Sequence, residues 1–425
     1  MKRIAVIGSG IAGLAAARTL HAGGARVTLF EASARFGGHA HTVDVTLDNV
    51  THGVDTGFLV YNERTYPLLT RLFAELGVET APSDMSFSVQ VRSLGLEWSG
   101  SSAATVFAQK RNLLRPPFWR MLADLLRFNR EATALAAQGD VDALAQPVED
   151  FLRERRYGRP FVDWYLLPMV GCIWSCPPGQ MLRFPVATLI RFCHNHGLLQ
   201  LADRPPWRTV QGGSRRYVER IVAALPDARA QMPVLAVQRG TAGVRVSTAA
   251  GAERFDELVF ACHAGQALQL LGDDASADER RLLGAIRTQT NLAVLHTDVS
   301  VLPRRRSAWA AWNHDARPAG EDGGICLHYL INRLQPLPWQ RPVIVTLNPL
   351  REPAGVIGRY AVAHPIFDQA AIDAQRALPR LQGQRRSWFC GAWTGYGFHE
   401  DGLASGLAVA DALLRQLAQP TREAA

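Results

Sequence analysis

A glycine-rich turn near the N terminus, Gly8-Ser9-Gly10-Ile11-Ala12-Gly13, constrains the fold of this chain more than any other segment. The apolar run before it predicts a buried parallel strand, and the apolar pattern after it predicts a helix that stops at Gly23-Gly24. A second strand then ends at Glu31. Strand, turn, helix and strand make a complete βαβ unit, which predicts an α/β fold with a parallel sheet.

The residue types in this unit suit a dinucleotide. Gly8 permits the tight turn, Gly10 lets the backbone approach a pyrophosphate, and Gly13 allows close packing of the helix on the strand. The helix N terminus offers unpaired N–H groups and a positive dipole to phosphates. Glu31 lies about 20 residues farther along, where an acid bonds a ribose 2′-hydroxyl and disfavours a 2′-phosphate.

The residues after Glu31 resemble those of the flavin amine oxidase superfamily, which includes protoporphyrinogen oxidases and carotenoid desaturases. In that superfamily an Arg-x-Gly-Gly-Arg-x-x-Thr pattern follows the acid and wraps the FAD pyrophosphate. Here the segment is Arg35-Phe36-Gly37-Gly38-His39-Ala40-His41-Thr42. His39 replaces the second arginine, and a neutral imidazole donates one hydrogen bond where arginine donates two.

The resemblance implies further FAD contacts. Val54-Asp55-Thr56-Gly57-Phe58 is similar to a segment near the flavin ring, and a valine at position 234 contacts the adenine end. Near the C terminus, Gly391 is expected beside the ribitol, and a helix opening at Gly402 points its N terminus at the flavin N1–C2=O edge. The expected cofactor-binding residues are Gly8, Gly10, Ile11, Ala12, Gly13, Glu31, Ala32, Arg35, Gly37, Gly38, His39, Thr42, Gly57, Phe58, Val234, Gly391, Ala392, Gly402, Leu403 and Ser405.

The resemblance covers essentially the whole chain and implies two interleaved domains. One is a Rossmann-type FAD-binding domain of the amine oxidase fold, and the other is an α+β substrate domain. A chain of 425 residues, 48% of them hydrophobic, can bury cores for both. We expect the FAD-binding domain at residues 1–80, 205–290 and 385–425, and the substrate domain at residues 81–204 and 291–384.

Composition narrows the class of protein. The six cysteines are scattered, which indicates reduced thiols, and no carboxylate lies at metal-ligand spacing from His194 and His196, so we expect no metal. No apolar run approaches the roughly 18 residues of a membrane span. The first strand begins almost at the N terminus, which leaves no room for a signal peptide. We therefore expect a cytoplasmic protein that binds no nucleic acid.

Residues 110–130 are the segment that says most about where in the cell the protein is located. Apolar and aromatic residues there alternate with Lys110, Arg111, Arg115, Arg120, Arg127 and Arg130. This composition is typical of one basic interfacial helix, which would give a peripheral contact with an anionic inner membrane. An amphipathic helix packed on the core with a solvated basic face is the favoured alternative.

Two almost uncharged aromatic segments, residues 163–169 and 173–177, and the stretch that follows at residues 184–200 with Phe192, His194 and His196, predict a pocket for a hydrophobic substrate. The candidate pocket residues are Tyr165, Trp174, His194 and Tyr396. Core packing explains most of these side chains equally well.

Residues 54–58, 173–177, 194–199 and 391–402 carry a closer resemblance. On them, the chain looks closest to bacterial predicted NAD/FAD-binding proteins associated with cyclopropane-fatty-acid-synthase-like methyltransferases. That association implies a fatty-acyl substrate, of which a methyl-branched chain is one example. It also implies a lipid methyltransferase as partner. The leading hypothesis is an FAD-dependent oxidoreductase that moves a hydride from an acyl C–H to the flavin and gives a desaturated product. Tyr329, His399 or Glu400 would take the accompanying proton.

Three alternatives stay open. A redox-neutral double-bond isomerase would use the same hydride chemistry in both directions. A flavin amine oxidase would need an aromatic cage and often a lysine near the flavin, but this chain has very few lysines, chiefly Lys2 and Lys110. A flavin-binding partner subunit of a lipid methyltransferase would show no turnover alone.

Overall fold

The computed structural model describes residues 1–137, 144, 146–200, 204–317 and 325–419. The strands are β1 (Arg3–Ile7), β2 (Arg26–Phe30), β3 (Thr42–Leu47), β4 (Val50–Asp55), β5 (Tyr61–Asn62), β6 (Thr80–Ser83), β7 (Phe87–Val91), β8 (Leu96–Ser99), β9 (Trp207–Val210), β10 (Ala228–Arg229), β11 (Val234–Gly240), β12 (Gly243–Thr248), β13 (Gly251–Phe255), β14 (Glu257–Phe260), β15 (Thr288–His296), β16 (Trp312–Asp315), β17 (Cys326–Leu330), β18 (Ile344–Leu347), β19 (Val356–Pro365) and β20 (Ser387–Phe389). The helices are α1 (Ile11–Ala22), α2 (Pro67–Leu76), α3 (Ala103–Val106), α4 (Pro116–Ala137), α5 (Val148–Glu154), α6 (Arg159–Phe161), α7 (Leu167–Trp174), α8 (Pro178–Met181), α9 (Val186–Asn195), α10 (Arg215–Ala223), α11 (Ala264–Leu271), α12 (Ala277–Ala285), α13 (Ile331–Leu334), α14 (Gln369–Ala377) and α15 (His399–Ala418).

A five-stranded sheet with the order β10-β2-β1-β14-β20 contains the first two strands of the chain and has a hydrophobic core on each face. All of its neighbouring strands pair in parallel, which confirms the predicted βαβ unit. Ile4 and Val6 on β1 pack into a core with α1 and α15, whereas Ala5 and Ile7 pack into a second core with the antiparallel sheet β11-β12-β13. The alternation of side chains along a strand thus buries both faces of the parallel sheet.

The largest sheet has seven strands in the order β19-β15-β18-β17-β16-β7-β8. It is antiparallel except for β16 and β7, which pair in parallel. Its largest core includes buried side chains from the helical region α5 to α9. The fold is therefore mixed α/β, as expected, while the predicted domain boundaries stay a prediction.

A buried carboxylate connects these parts of the fold. Asp55, at the end of β4, accepts hydrogen bonds from the Ser214 backbone before α10 (2.9 Å) and from the side chain of Gln335 after α13 (2.8 Å). The Asp55 backbone N–H donates to the same Gln335 side chain at 2.9 Å. Burial raises the pKa of Asp55 to about 6, although these hydrogen bonds oppose that rise.

Two predicted helices differ from those observed. Residues 110–130 do not form one helix, because a 3₁₀ helix at Lys110–Leu114 ends in an extended Arg115 before α4. Pro116 disfavours the helical conformation of the residue that precedes it. The C-terminal helix begins at His399 and not at Gly402, because the Asp401 side chain accepts from the Phe398 backbone N–H at 2.9 Å and caps an earlier turn. No helix in the described part of the chain has the length and apolarity to cross a bilayer.

Candidate functional site

The glycine turn between β1 and α1 presents bare backbone. Gly8 has a φ of +103°, and a Cβ on it would lie 2.8 Å from the Ala261 carbonyl oxygen. A Cβ on Gly13 would lie 1.9 Å from the Gly8 carbonyl oxygen, so the helix packs directly on the turn. Around Gly10, in contrast, no atom lies within 4 Å of the Cβ position. Helix α1 starts at the next residue without a side-chain cap or an acid in its first turn, which leaves its N–H groups to an anion.

Glu31 holds this turn in place. One carboxylate oxygen accepts from the Ser9 backbone N–H (3.0 Å) and hydroxyl (2.5 Å), and the other accepts from the Ser33 N–H (2.8 Å). A carboxylate has about four acceptor positions, so the Glu31 oxygens can also accept a ribose hydroxyl. Val234 begins β11 shortly after Met232, whose N–H donates to the Glu31 carbonyl. Ala32 is exposed next to this acid.

The predicted diphosphate segment lies against the same turn. The Gly37 N–H donates to the Ser9 hydroxyl at 3.1 Å, and a Cβ on Gly38 would lie 3.0 Å from the Gly10 Cα. Arg35 donates to the Gly38 carbonyl at 2.8 Å and thereby shapes the loop. The Thr42 hydroxyl instead donates to Asp55 at 2.5 Å, which directs it toward the start of α10.

The C-terminal motif meets the N-terminal one. A Cβ on Gly402 would lie 2.8 Å from the Ile11 side chain and 3.5 Å from the Ala392 nitrogen. The Ser405 hydroxyl accepts from the Gly391 N–H at 2.9 Å, so α15 fixes the end of β20. A Cβ on Gly406 would lie 2.2 Å from the Ala12 carbonyl oxygen. Leu403 is buried in the core between these helices.

The expected flavin-ring neighbours also come together. The Phe58 N–H donates to the His39 carbonyl at 2.8 Å, and a Cβ on Gly57 would lie 2.1 Å from the same oxygen. The Phe58 ring stacks on the His399 ring with a centroid distance of 3.8 Å. The ring segment, the diphosphate segment and the C-terminal helix therefore adjoin one another.

Four partly buried histidines from four elements surround this region. The His39 ring lies 5.3 Å from that of His364 on β19 and 6.5 Å from that of His263 at the start of α11. Burial, and then the nearby histidines and Arg35, lower the pKa of His39 to about 3. Burial lowers the pKa of His399 to about 3 as well.

The Nε2 atom of His39 is the polar atom in this cluster that a ligand could bind. The His39 residue is partly exposed, yet its Nε2 atom is buried and has no hydrogen-bond partner among the described residues. A buried polar nitrogen without a partner costs free energy, which a ligand oxygen would recover. The open surface at Gly10 and this unpartnered nitrogen are compatible with a diphosphate, so the residues present fit FAD. Sequence reasoning missed His263 and His364, because neither lies in a recognisable motif.

A cavity of about 590 Å³ lies beside the C-terminal motif. The Phe192 ring stacks on the rings of both His196 and Phe398, with centroid distances of 3.9 and 5.0 Å, and those two rings lie 5.7 Å from each other. The lining residues are Arg64, Thr65, Tyr66, Pro67, Phe192, His194, Asn195, His196, Gln200, Tyr396, Phe398, Glu400 and Asp401.

The four predicted pocket residues are not all in this cavity. His194 and Tyr396 line it, and Trp174 lies behind Tyr396, donating to its carbonyl at 3.2 Å. Tyr165 packs elsewhere, against Phe161 and Trp98, with ring distances of 5.7 and 6.2 Å. Phe192, from the aromatic stretch at residues 184–200, also lines the cavity, whereas Arg64 was not predicted and only its position after folding indicates a role.

The three predicted proton acceptors have different surroundings. His399 Nε2 lies 3.0 Å from the Tyr217 hydroxyl. Its ring stacks on Phe58 in the segment of residues 54–58, which we call the flavin segment. Glu400 accepts from the backbone N–H groups of Leu68 (2.7 Å) and Leu69 (3.0 Å) at the start of α2, and burial raises its pKa. The Tyr329 ring packs edge-on against Trp312 on the seven-stranded sheet, and burial raises the pKa of its hydroxyl.

Comparisons with known proteins agree with this arrangement. The model of the family described as flavin containing amine oxidoreductase matches residues 11–299. Cyclohexylamine oxidase from Brevibacterium oxydans IH-35A shares 17% identity at a TM-score of 0.71, with 98% of this chain and 100% of that chain covered. A CLA-producing fatty acid isomerase from P. acnes shares 16% identity at a TM-score of 0.69, with 97% and 98% covered. Putrescine oxidase bound to putrescine gives 14% identity and a TM-score of 0.68, with 97% and 99% covered. At these identities the structures show a common fold.

Proposed function

Because this chain belongs to the family of flavin-containing amine oxidoreductases and is an FAD-dependent oxidoreductase, we propose that it desaturates a hydrophobic, fatty-acyl substrate. When bound, FAD accepts a hydride from a substrate C–H and passes the two electrons to molecular oxygen or to an electron carrier. A proton leaves the adjacent carbon, so that the substrate loses two hydrogens and gains one double bond. The protein must hold the chain, exclude water and receive that proton.

The cavity beside the C-terminal motif is the observation that carries this proposal. Its stacked rings offer an apolar wall for an acyl chain, and the exposed Arg64 at its edge offers a guanidinium to a carboxylate or another acidic headgroup. One Arg64 nitrogen donates to the Asn195 carbonyl at 3.0 Å, which orients the side chain. An acyl chain with its acidic end at Arg64 would extend toward Phe398 and the flavin segment.

The acids of the cavity do not favour a cationic substrate. Glu400 is bonded to two backbone N–H groups at the start of α2, where the helix dipole offsets its charge. Asp401 accepts from the Phe398 N–H at 2.9 Å and caps α15. Both carboxylates are thus committed to helix termini, although their presence keeps an amine substrate as the second candidate.

His399 is the proposed proton acceptor. Burial keeps its imidazole neutral near pH 7, so a ring nitrogen is free of a proton, while the same burial weakens the ring as a base. Its hydrogen bond to the buried Tyr217 hydroxyl fixes the ring. Tyr329 has no contact with the flavin segment among those described, and Glu400 has a structural role, so both rank below His399.

Anaerobic stopped-flow absorbance of the FAD-loaded protein tests the proposal. Unsaturated and methyl-branched fatty acids or phospholipids should bleach the visible flavin absorbance, and amines should not. Bleaching by amines alone would refute the acyl substrate. FAD retention without bleaching by either class would favour the isomerase or the methyltransferase partner subunit, and conversion of double-bond position or complex formation would separate those two.

Two variants separate binding from chemistry. Arg64→Gln should raise the substrate concentration needed for half-maximal bleaching roughly 10- to 100-fold, since it removes a charge-assisted hydrogen bond. His399→Gln should slow the limiting bleaching rate about 10² to 10⁴-fold. Arg71→Gln, an equal charge change at an exposed position on α2, is the control and should change neither. FAD content measured in each variant separates these effects from loss of the cofactor.

A further inference from the structure

Several large apolar side chains are exposed on one surface formed by the 3₁₀ helix at Arg92–Leu94, the 3₁₀ helix at Lys110–Leu114 and α4. Leu114 is 86% exposed and Trp119 is 48% exposed, values that are high for such residues. Leu126 follows Trp119 two turns later and therefore shares its helix face. The basic apolar surface, as we define it, contains Leu94, Leu113, Leu114, Trp119 and Leu126, together with the cations described below.

Hydrogen bonds hold these side chains in their exposed positions. The Trp119 indole N–H donates to the Leu113 carbonyl at 2.9 Å. Arg115 donates to the Leu94 carbonyl at 3.2 Å, and Arg111 donates to the neighbouring Gly95 carbonyl. Beneath them the buried Asn112 amide donates to the Glu97 carbonyl at 3.2 Å. The backbone that carries the exposed leucines and tryptophan is therefore fixed by hydrogen bonds.

The charge on this surface has one sign. Residues 98–123 contain no Asp or Glu, while Lys110, Arg111, Arg115 and Arg120 are basic. The fold adds a second basic run from a distant part of the sequence, Arg304, Arg305 and Arg306, all exposed. It is placed there by Glu97, whose carboxylate accepts from the Arg304 and Arg305 backbone N–H groups at 3.0 and 3.2 Å.

The neighbouring acids neutralise only part of this charge. Glu97 is buried and its oxygens are bonded to backbone N–H groups. Asp124 pairs with Arg127 at 2.9 Å, accepts from the Gly158 N–H at 2.8 Å and lies beside Arg120. It therefore offsets charge on that side of α4, whereas Arg111 and Arg115 donate to backbone carbonyls. Exposed leucine and tryptophan surrounded by unneutralised arginines match the interface of an anionic bilayer, where the rings lie at headgroup depth and the cations meet lipid phosphates.

We propose that the basic apolar surface binds peripherally to a bilayer that contains anionic lipid. The inference goes beyond the proposed function and does not depend on the substrate being a lipid. A second copy of the chain is a weaker candidate occupant, because it would bring two surfaces of the same charge together. An isologous contact would place the arginine runs of both copies in one interface.

Sedimentation of the FAD-loaded protein with vesicles tests the proposal. Vesicles of equal parts phosphatidylcholine and phosphatidylglycerol should pellet the protein at about 0.1 M salt, and pure phosphatidylcholine vesicles should pellet much less. Leu114→Ser/Trp119→Ser should weaken binding at least roughly tenfold. Arg304→Gln/Arg305→Gln/Arg306→Gln should weaken it roughly 100-fold, at about fivefold for each charge.

Matched controls keep the result interpretable. Leu235→Ser changes a leucine that is 61% exposed elsewhere, and Arg71→Gln/Arg281→Gln/Arg376→Gln removes three exposed charges at other sites. Both controls should pellet as the unchanged protein does, and flavin absorbance should show that every variant is folded. Failure of the unchanged protein to pellet with anionic vesicles would overturn the proposal. Self-association abolished by Leu114→Ser/Trp119→Ser, without vesicle binding, would assign the surface to a second copy and also overturn it.

Discussion

His39 is the residue at which this chain departs from its family pattern in the diphosphate segment. An arginine would carry a permanent charge, whereas the His39 imidazole has a pKa of about 3 in the absence of an anion. His364, His263, His399 and Arg35 face it and oppose its protonation. A diphosphate beside Nε2 would favour the protonated ring, so FAD binding is expected to take up a proton.

The first prediction concerns the affinity for FAD. It should increase as the pH is lowered from about 6.5 toward 5, because the free imidazole has a pKa of about 3 and a phosphate beside it restores the pKa toward its ordinary value, so binding takes up a proton in that range. His39→Arg should bind FAD roughly tenfold more tightly near pH 8 and should lose this pH dependence. Quenching of FAD fluorescence during titration of the apoprotein measures both effects.

The control for this prediction is His52→Arg, which adds the same charge on the β3–β4 hairpin. It should leave the affinity for FAD unchanged at each pH. Equal affinity of the unchanged protein and His39→Arg across the pH range would show that His39 does not contact the phosphates.

At the scale of elements, the contact between α1 and α15 brings the two cofactor motifs together. The helices approach so closely that Gly406 faces the Ala12 carbonyl oxygen without room for a methyl group. The Ser405 hydroxyl next to it is bonded to Gly391. Cofactor binding thus depends on a helix–helix distance that small residues permit.

The second prediction follows from that distance. Gly406→Ala should push α15 away from α1, lower the free energy of unfolding by about 1–3 kcal/mol and weaken FAD binding. Gly284→Ala is the matched control on α12, where the nearest atom to a Cβ lies at 3.8 Å, and it should not destabilise the protein. Urea unfolding and FAD titration measure the two effects, and equal stability of both variants would contradict the close approach.

For the molecule as a whole, buried neutral histidines couple stability to pH. His296 and His314 in the seven-stranded sheet are 0% and 6% exposed, and burial lowers the pKa of each to about 4. Their ordinary pKa in an unfolded chain is about 6.5. Below that pH the unfolded state binds more protons than the folded state, so stability present above about pH 6.5 is lost as the pH falls toward 4.

The third prediction is therefore acid destabilisation. Each of these two groups should reduce the free energy of unfolding by up to about 1.4 kcal/mol per pH unit between roughly pH 6.5 and 4. Five carboxyl groups have the opposite sign, because burial raises their pKa and favours the protonated folded state: Asp55, Asp163, Glu257, Glu400 and Asp401. Histidines with a lowered pKa outnumber them, with nine among the described residues. Urea unfolding of the FAD-loaded protein at several pH values measures the slope.

A histidine variant gives the control. His314→Asn should reduce the slope, whereas His52→Gln on the hairpin should preserve it. Stability that does not change between about pH 7 and 5 would contradict the prediction.

Local sequence determined the cofactor-binding fold, since glycine at Gly8 and Gly13, the helical spacing after the turn and the acid at Glu31 each act through backbone conformation or near neighbours. The resemblance of residues 35–42 and of the C-terminal motif to the flavin amine oxidase superfamily identified FAD and the oxidoreductase class. Sequence reasoning failed where neighbouring residues overrode the pattern, as at Pro116 and at the Asp401 cap of α15.

Only the tertiary structure decided which distant residues meet. His39, His263 and His364 come from separate elements and share no spacing that a sequence pattern could reveal. The cavity joins Arg64 to Phe192 and Phe398 in the same way, and Glu97 brings a remote arginine run to the exposed leucines. Local motifs are read from neighbours along the chain, whereas contacts between elements follow from the packing of whole sheets and helices, which depends on all core residues together.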